Sequence, residues 1–577
     1  MRKLLKFIKP YTLWAILAPI MMFVEVGSEL VIPKIMALIV DIGIASGDHG
    51  YIIKMGILMV IAALLGAVGG IGCAYYASKT AMYFGADIRE EMFARIQSFS
   101  FVNLDKFHTS SMITRLTNDI TQLQQIVTLC LRGLVRSPLM MAGGLAMAIA
   151  INPRLTLILF AALVIMVFFI SVIISLSFPL FKRVQTGIDK INTVMREDLS
   201  GIRVVKAFVR EDKEKEKFAE ANDNLMNITI KAFRTITMTL PLMTIVLNSA
   251  MLLIVWRGGH YVSVGDMTSG DLMQYMTYIT QILMSLMMLS MLLMMISRAR
   301  ACTDRVNEIL DTDTDIVDSP DAVSGVITDG RIVFDSVTFS YPASTGDPVL
   351  ENISLTVEPG ETVGILGETG AGKSTLVNLI PRLYDVTGGS ITIDGVDVRK
   401  ISLDYLRKNI GIVLQKALLF SGSIAENLRW GNKDASDDEI KEACITAGAD
   451  EFIESFKDGF DTQLGQGGVN LSGGQKQRIS IARTLLKKPK ILIFDDSTSA
   501  VDTGTEKKIR EGLATRLGNT TKIIIAQKVS SIMNADKIIV IHNGKIAEQG
   551  THDQLLSQNG IYSEIYKTQT NLETEVE

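Results

Sequence analysis

The sequence predicts a multidomain membrane protein: a six-helix transmembrane domain with long cytoplasmic helical extensions over residues 1–310, a linker over 311–330, and an α/β domain over 331–577. Three observations carry that division. Of 28 methionines, all but Met533 lie in the first 300 residues. Charge divides at the same place, with 29 Lys+Arg against 20 Asp+Glu before Ala301 and 28 against 41 after it, so the overall −4 conceals a basic half and an acidic half. Mean hydropathy is +0.30 with 48% hydrophobic residues, which excludes a disordered chain and argues against a wholly soluble one. Four widely spaced cysteines without a CxxC argue against a disulfide framework or a zinc site.

Spanning a bilayer takes about 20 apolar residues, and six stretches qualify: roughly 13–40, 52–76, 127–151, 155–176, 236–256 and 272–297. The basic amphipathic start, MRKLLKFIKPYTLWA, reads as a retained interfacial helix rather than a cleaved signal. The polar, helix-patterned segments 77–125 and 181–235 carry most of the positive charge, which places them inside by the positive-inside rule. The short opposite connections near 41–51, 152–154 and 257–271 are external. Continuing the flanking helices, the two internal insertions would reach roughly 30–35 Å beyond the bilayer.

Glu25 and Glu29 sit one helical turn apart within the first apolar run. An intramembrane carboxylate is costly unless it faces protein or water, so the pair either lines a substrate cavity or pairs with a neighbouring helix. Arg132 and Arg136 read most simply as snorkelling anchors. The last span holds Met284, Met287, Met288, Met291, Met294 and Met295, soft side chains suited to packing or to adaptable ligand contact.

Beyond Arg300 the composition changes. DTDTDIVDSPDAVSG is an acidic linker, and short β-rich runs then alternate with helical stretches, the pattern of a mostly parallel sheet. Gly367, Glu368, Thr369, Gly370, Ala371, Gly372, Lys373, Ser374 and Thr375 form GETGAGKST between a predicted strand and helix. That is a P-loop, so the α/β domain is a P-loop nucleotide-binding domain. Its glycines let backbone N–H groups wrap phosphates, Lys373 faces the β/γ-phosphates and Ser374 can ligate Mg²⁺; the implied cofactors are ATP and Mg²⁺. ILIFDD delivers Asp495 and Asp496 at a strand end, the first to hold Mg²⁺ through water and the second toward the γ-phosphate. Leu471, Ser472, Gly473, Gly474 and Gln475 (LSGGQ) precede a helix and make a second phosphate-binding device. One nucleotide does not need two cradles from one domain. The economical arrangement is a head-to-tail pair, each domain offering LSGGQ to the other's P-loop.

P-loop, LSGGQ and ILIFDD in this order behind six spans resemble an ATP-binding cassette (ABC) exporter half-transporter over nearly the whole chain. The resemblance implies that Tyr341 stacks on adenine, that Gln415 touches Mg²⁺ and senses the transmembrane part, and that Asp502 belongs to the loop exchanged between cassettes. It implies coupling helices near Asn103–Thr109 and Phe208–Glu214, and a multi-pass place in a bacterial cytoplasmic membrane with the nucleotide domain in the cytoplasm.

Two positions depart from the family pattern. Asp496 stands where a glutamate is usual and Gln527 where a histidine is usual. Aspartate is shorter by one methylene and glutamine cannot become cationic, and about 1 Å of misplacement can cost about 100-fold. The expectation is therefore a hydrolysis-impaired site on the degenerate-site subunit of a bacterial heterodimeric multidrug exporter. A second half-transporter would supply the catalytic Glu and His, the cargo would be amphipathic small molecules or drugs from the lipid bilayer, and nucleic acid plays no part. The alternatives are a non-transporting nucleotide sensor gating a membrane partner, and a lipid or peptide exporter subunit.

Overall fold

The computed structural model describes residues 3–342, 346–497 and 501–576, with the side chains of 290, 291, 293–299, 503 and 571–576 also outside the description. Met291, Met294 and Met295 therefore lie outside the described side chains. The chain divides into two compact units: Met1–Gln97 with Ser110–Asp311, and Ser98–Thr109 with Thr312–Glu577.

In the first unit six helical runs are long and apolar enough to cross a membrane: Lys9–Ile44, His49–Ser98, Thr109–Ile151, Pro153–Ser200, Glu211–Val264 and Ser269–Leu289. Asn152 caps the fourth run by accepting from the N–H groups of Arg154 and Leu155, and Pro153 takes the first helical position, where no amide hydrogen is needed. That capped Pro turn makes the connection as short as the sequence suggests. The sixth run belongs to helix α1 (Ser269–Asp311). It is the interior element: 44% of its apolar window is buried, against 17–22% for the other five. Tyr275 and Tyr278 are fully buried on it, and each hydroxyl is satisfied, one by Thr156 Oγ1 at 3.1 Å and the other by the Leu30 carbonyl at 2.7 Å. The other helices leave Ile71, Leu157, Phe160 and Phe178 exposed, as a lipid-facing surface requires.

The second unit is built on two main sheets. Strands β1 (Ile332–Phe339), β2 (Leu350–Val357), β4 (Gly388–Ile393) and β5 (Val396–Asp397) form an antiparallel sheet in the order β2-β1-β4-β5. The larger sheet uses β3 (Thr362–Gly367), β6 (Ile410–Val413), β7 (Ile491–Asp495), β8 (Thr521–Ile525), β9 (Lys537–His542) and β10 (Lys545–Gly550), in the order β10-β9-β3-β8-β7-β6. Every pairing from β9 through β3, β8 and β7 to β6 is parallel. Strand β7 is buried along its whole length, the near-continuous apolar reading of a strand covered on both faces.

This strand order positions the chemistry. Ile365 pairs with Ile525, Ile525 with Asp495, and Phe494 with Val413, so four strands end level with one another. In an open parallel sheet, ligands bind at the carboxyl ends of the strands.

Residues Ser98–Thr109 pack with the second unit. Ser100 and Asn103 form a capping box at the start of a short helix, Phe101–Lys106. Asn103 Nδ2 donates to Asp313 O and Asp315 Oδ2, and Tyr384 Oη donates to Asp105 Oδ2 at 2.8 Å. The segment expected as the first coupling helix thus belongs, by its contacts, with the nucleotide-binding unit.

Candidate functional site

The loop after β3 carries the P-loop into helix α2 (Lys373–Leu379). Two of its glycines are required by close approach. A Cβ on Gly367 (φ 154°) would lie 2.3 Å from the Ile541 carbonyl oxygen, and one on Gly372 (φ 98°) would meet the Leu350 side chain at 2.8 Å. With no side chain at either place, the loop folds back and Lys373 Nζ reaches the carbonyls of Gly367 and Glu368, both at 2.7 Å.

Around this loop a cavity of 330 Å³ is lined by Tyr341, Thr369, Gly370, Gly372, Lys373, Ser374, Thr375, Gln415, Asp495, Asp496 and Gln527. Each carboxylate in it is engaged. Ser374 Oγ donates to Asp495 Oδ1 at 2.7 Å. Asp496 Oδ2 accepts from Gln415 Nε2 at 3.0 Å and from Gln527 Nε2 at 2.6 Å. The backbone at Asp496 is left-handed (φ 46°), which aspartate tolerates better than most residues, and its N–H donates to the Ile525 carbonyl at 3.1 Å. This turn out of β7 returns the carboxylate over the ends of the neighbouring strands. Burial raises the Asp495 carboxyl above its ordinary value; Asp496 adds to that, while the Ser374 hydrogen bond and Lys373 oppose it. Burial also lowers Lys373, against the pull of Asp496 and Asp495. Both shifts arise first from burial, which disfavours the charged form of each group.

The donor set fits the groups the sequence implies. A hydroxyl and a carboxylate on adjacent elements are the oxygen ligands a Mg²⁺ takes from protein while it keeps contacts to phosphate, and the glycine-lined loop is a phosphate cradle.

Tyr341 borders the same cavity. Its hydroxyl is 3.0 Å from Thr375 Oγ1, and its ring stands edge-on to Phe339 at 4.9 Å and to Tyr384 at 5.2 Å. A chain of contacts runs from Asp105 through Tyr384 and Tyr341 to the P-loop helix. Tyr384 was not legible as functional in the sequence, because nothing local marks it. Nor was Gln477, buried on the signature helix, whose Nε2 donates at 3.2 Å to the carbonyl of Leu414, next to Gln415.

LSGGQ lies elsewhere in the unit. Ser472 caps helix α3 (Gly473–Leu486): its Oγ accepts from Gln475 N–H, and Gln475 Oε1 accepts from Ser472 N–H at 2.9 Å. Leu471 is buried, Ser472 and Gly473 are exposed, and none of the five borders the P-loop cavity. Asp502 likewise lies outside that cavity, capping helix α4 (Thr503–Arg516) by accepting from Thr505 N–H at 2.9 Å. The folded chain thus keeps the two phosphate devices apart.

In the first unit the intramembrane carboxylates are paired. Arg136 bonds Glu25 through Nη1 and Glu29 through Nη2, the latter at 2.8 Å. The reading of Arg136 as a snorkelling anchor is corrected: its guanidinium is held by two carboxylates of another helix. Glu29 and Arg136 also border a cavity of 440 Å³ with Thr277, Thr280, Gln281, Met284, Ser285 and Met288. Glu25 does not line it.

Residues 15–286 match the ABC transporter transmembrane region and residues 350–499 match ABC transporter. The chain is 42% identical to the uncharacterized ABC transporter ATP-binding protein YfiB of Bacillus subtilis, covering 99% of this chain and 98% of that protein. It is 37% identical to the ATP-dependent lipid A-core flippase of Desulfotalea psychrophila over 84% of each chain. A solved bacterial Atm1-family ABC exporter with ATP bound superposes with a TM-score of 0.78 and 27% identity, covering 97% of this chain and 98% of that one.

These likenesses correct two expectations. They align the chain with Atm1-family and lipid A-core flippase exporters, not with the degenerate-site subunit of a heterodimeric multidrug exporter. They give no support to a different half-transporter that supplies the catalytic Glu and His. In the fold Asp496 and Gln527 meet as a hydrogen-bonded pair, joined by Gln415, which the sequence pattern does not show. With six membrane-crossing helices, a P-loop site on a parallel sheet and full-length relatives of the same organisation, this chain belongs to the ABC transporter family as a multi-pass bacterial membrane protein with a cytoplasmic ATP-binding domain.

Proposed function

We propose that this chain drives export of a lipid-like amphiphile by hydrolysing ATP at its own P-loop, in a pair whose second cassette is another copy of the same chain. The observation that carries the reading is the separation of the two phosphate devices. The P-loop cavity is lined by Lys373, Ser374, Asp495, Asp496, Gln415 and Gln527, while no residue of LSGGQ borders it and Ser472 and Gly473 are exposed. Two copies placed head to tail satisfy both at once. A C₂ pair is the simplest closed assembly with that property.

In this reading Lys373 and the loop amides would hold the β/γ-phosphates, Tyr341 would pack on adenine, and Ser374, Asp495 and Gln415 would hold Mg²⁺. The metal, when bound, neutralises charge on the phosphates. Asp496 is the carboxylate that orients and polarises the attacking water, and the Gln415 and Gln527 amides fix its rotamer. Gln527 then has its other hydrogen-bonding capacity for the γ-phosphate. Asp502 steadies the loop exchanged between cassettes, and Ser472, Gly473 and Gly474 offer donors to the other copy's nucleotide.

The cargo reading follows the lipid A-core flippases, to which the chain is similar, and the membrane cavity. That cavity sets Glu29, Arg136 and four polar side chains of α1 beside Met140, Met284 and Met288, suiting a polar head with an apolar body. The test is the purified chain, alone, in lipid vesicles with Mg²⁺ and ATP. Hydrolysis lost about 1,000-fold on Lys373→Ala, together with ATP-dependent movement of a fluorescent phospholipid between leaflets, is the expected result. Absence of hydrolysis by the unsubstituted chain alone would overturn it.

A further inference from the structure

The last helix, α5 (Ile561–Val576), touches the loop after β8 through Gln569. Its first turn is anchored by Glu548, whose carboxylate accepts from the N–H groups of Ile561 and Tyr562 at 2.5 and 3.0 Å. A carboxylate there satisfies two amides that no helical carbonyl can reach, and favours the helix dipole. Tyr562 is fully buried, and His552 Nδ1 lies 2.6 Å from its hydroxyl. Tyr562, Tyr566 and Gln569 are spaced by four and three residues and so share one face. The face that buries Tyr562 therefore carries Gln569 toward the sheet.

Gln569 closes on the loop after β8. Its Nε2 donates to the Gln527 carbonyl at 2.9 Å, and its Oε1 accepts from Val529 N–H at 2.8 Å. Neither backbone group has another hydrogen bond among the described residues. One carboxamide thus replaces the pair of bonds that a neighbouring strand would make, at the point where β8 has ended and its ladder partners have gone. The Gln527 side chain leaves this clamped backbone to reach Asp496 at 2.6 Å.

We propose that Gln569 is a positioning residue for ATP hydrolysis: the C-terminal helix, through this one amide, sets the backbone from which Gln527 reaches Asp496 and the γ-phosphate. The inference rests on the reading of the P-loop cavity as a hydrolytic site. Losing the clamp leaves the buried Val529 N–H without a partner and lets the Gln527 loop shift, which acts on the chemical step and not on the phosphate cradle.

The test uses the full chain in lipid vesicles, with kcat, KM for ATP and thermal midpoint measured together. Gln569→Ala is expected to lower kcat roughly fivefold to tenfold while KM stays within about twofold. Gln569→Glu, which keeps the acceptor for Val529 N–H but sets a carboxylate oxygen against the Gln527 carbonyl, is expected to lower kcat at least as far as Gln569→Ala. In a Gln527→Ala background, Gln569→Ala lowers kcat no further. An unchanged kcat in Gln569→Ala, or the same fold-loss in both backgrounds, would overturn the proposal, since the residue would then act elsewhere or only on stability. Gln527→Ala with the parent's kcat would instead sink the assignment of Gln527 itself, a failure visible before Gln569 is changed.

Discussion

The nucleotide cavity and the membrane ion cluster both gather charge where water is scarce, and they do it by opposite means. In the cassette, four parallel strands in fixed register bring Gln415, Asp495, Asp496, Gln527 and the P-loop to one edge, so backbone hydrogen bonds position the site and side chains only complete it. In the membrane unit no ladder links the helices. There Arg136 bridges Glu25 and Glu29 from a different helix, and the side-chain bonds are themselves the positioning device. A backbone-built site should lose function more readily than fold when a side chain is cut, and a side-chain-built cluster should lose fold with function.

The largest effect expected from that contrast is at Arg136. Its removal leaves two carboxylates unpaired within the apolar unit, and breaking a buried pair costs about 3–5 kcal/mol. With 31% of the Arg136 side chain and 32% of Glu29 exposed, the low end of about 3 kcal/mol applies to Arg136→Ala. Thermal unfolding in detergent measures it, and the combination Arg136→Met, Glu25→Gln, Glu29→Gln should recover most of the loss. An Arg136→Ala protein as stable as the parent would erase the distinction between the two regions.

Next comes Asp496→Asn, which keeps the shape and removes the charge. It should lower kcat about 100-fold while ATP binding and the thermal midpoint hold, as read by ATPase rate, nucleotide binding and unfolding on one preparation. A fall in stability would place Asp496 among structural carboxylates.

Smaller still is Asp105→Ala, which takes the acceptor from Tyr384. The contacts from Asp105 through Tyr384 and Tyr341 to Thr375 predict that cargo moved per ATP falls about threefold to tenfold with basal hydrolysis retained. Equal losses in transport and hydrolysis would show that the contact shapes the site instead of linking it to transport.

The finest test is the acid limb of kcat/KM, which reports groups of the free enzyme. Burial raises Asp495, so protons compete for it at higher pH than for a solvated carboxylate, and once the ionisation of free ATP is divided out the limb should lie above the ordinary carboxylate value. A limb at or below that value would mean that Asp495 is effectively solvated.

Much of the cassette was readable in the chain because its motifs are local. LSGGQ needs only its own capping box, and in GETGAGKST the Lys373 ammonium reaches carbonyls of its own loop, so residue order already contains much of their local geometry. The six spans were readable for a similar reason: apolar length alone satisfies the bilayer. Asp496 shows where this stops. Its side chain is one methylene short of the usual glutamate, a fact of sequence, but its partners come from loops 81 and 31 residues away. The same holds for Arg136, which is 111 residues from Glu25, and for Tyr384, which is 279 from Asp105.

The order of residues by itself settled what kinds of segment the chain contains and which chemistry each motif carries, because helix length, strand pattern and phosphate loop are short-range properties. Only the tertiary structure decided which groups meet. Strand order places two amides on Asp496, helix packing sets one guanidinium between two carboxylates, and the terminal helix brings Gln569 to the Gln527 loop. Each of these contacts closes a long loop of chain, and its geometry is set by everything packed between its ends.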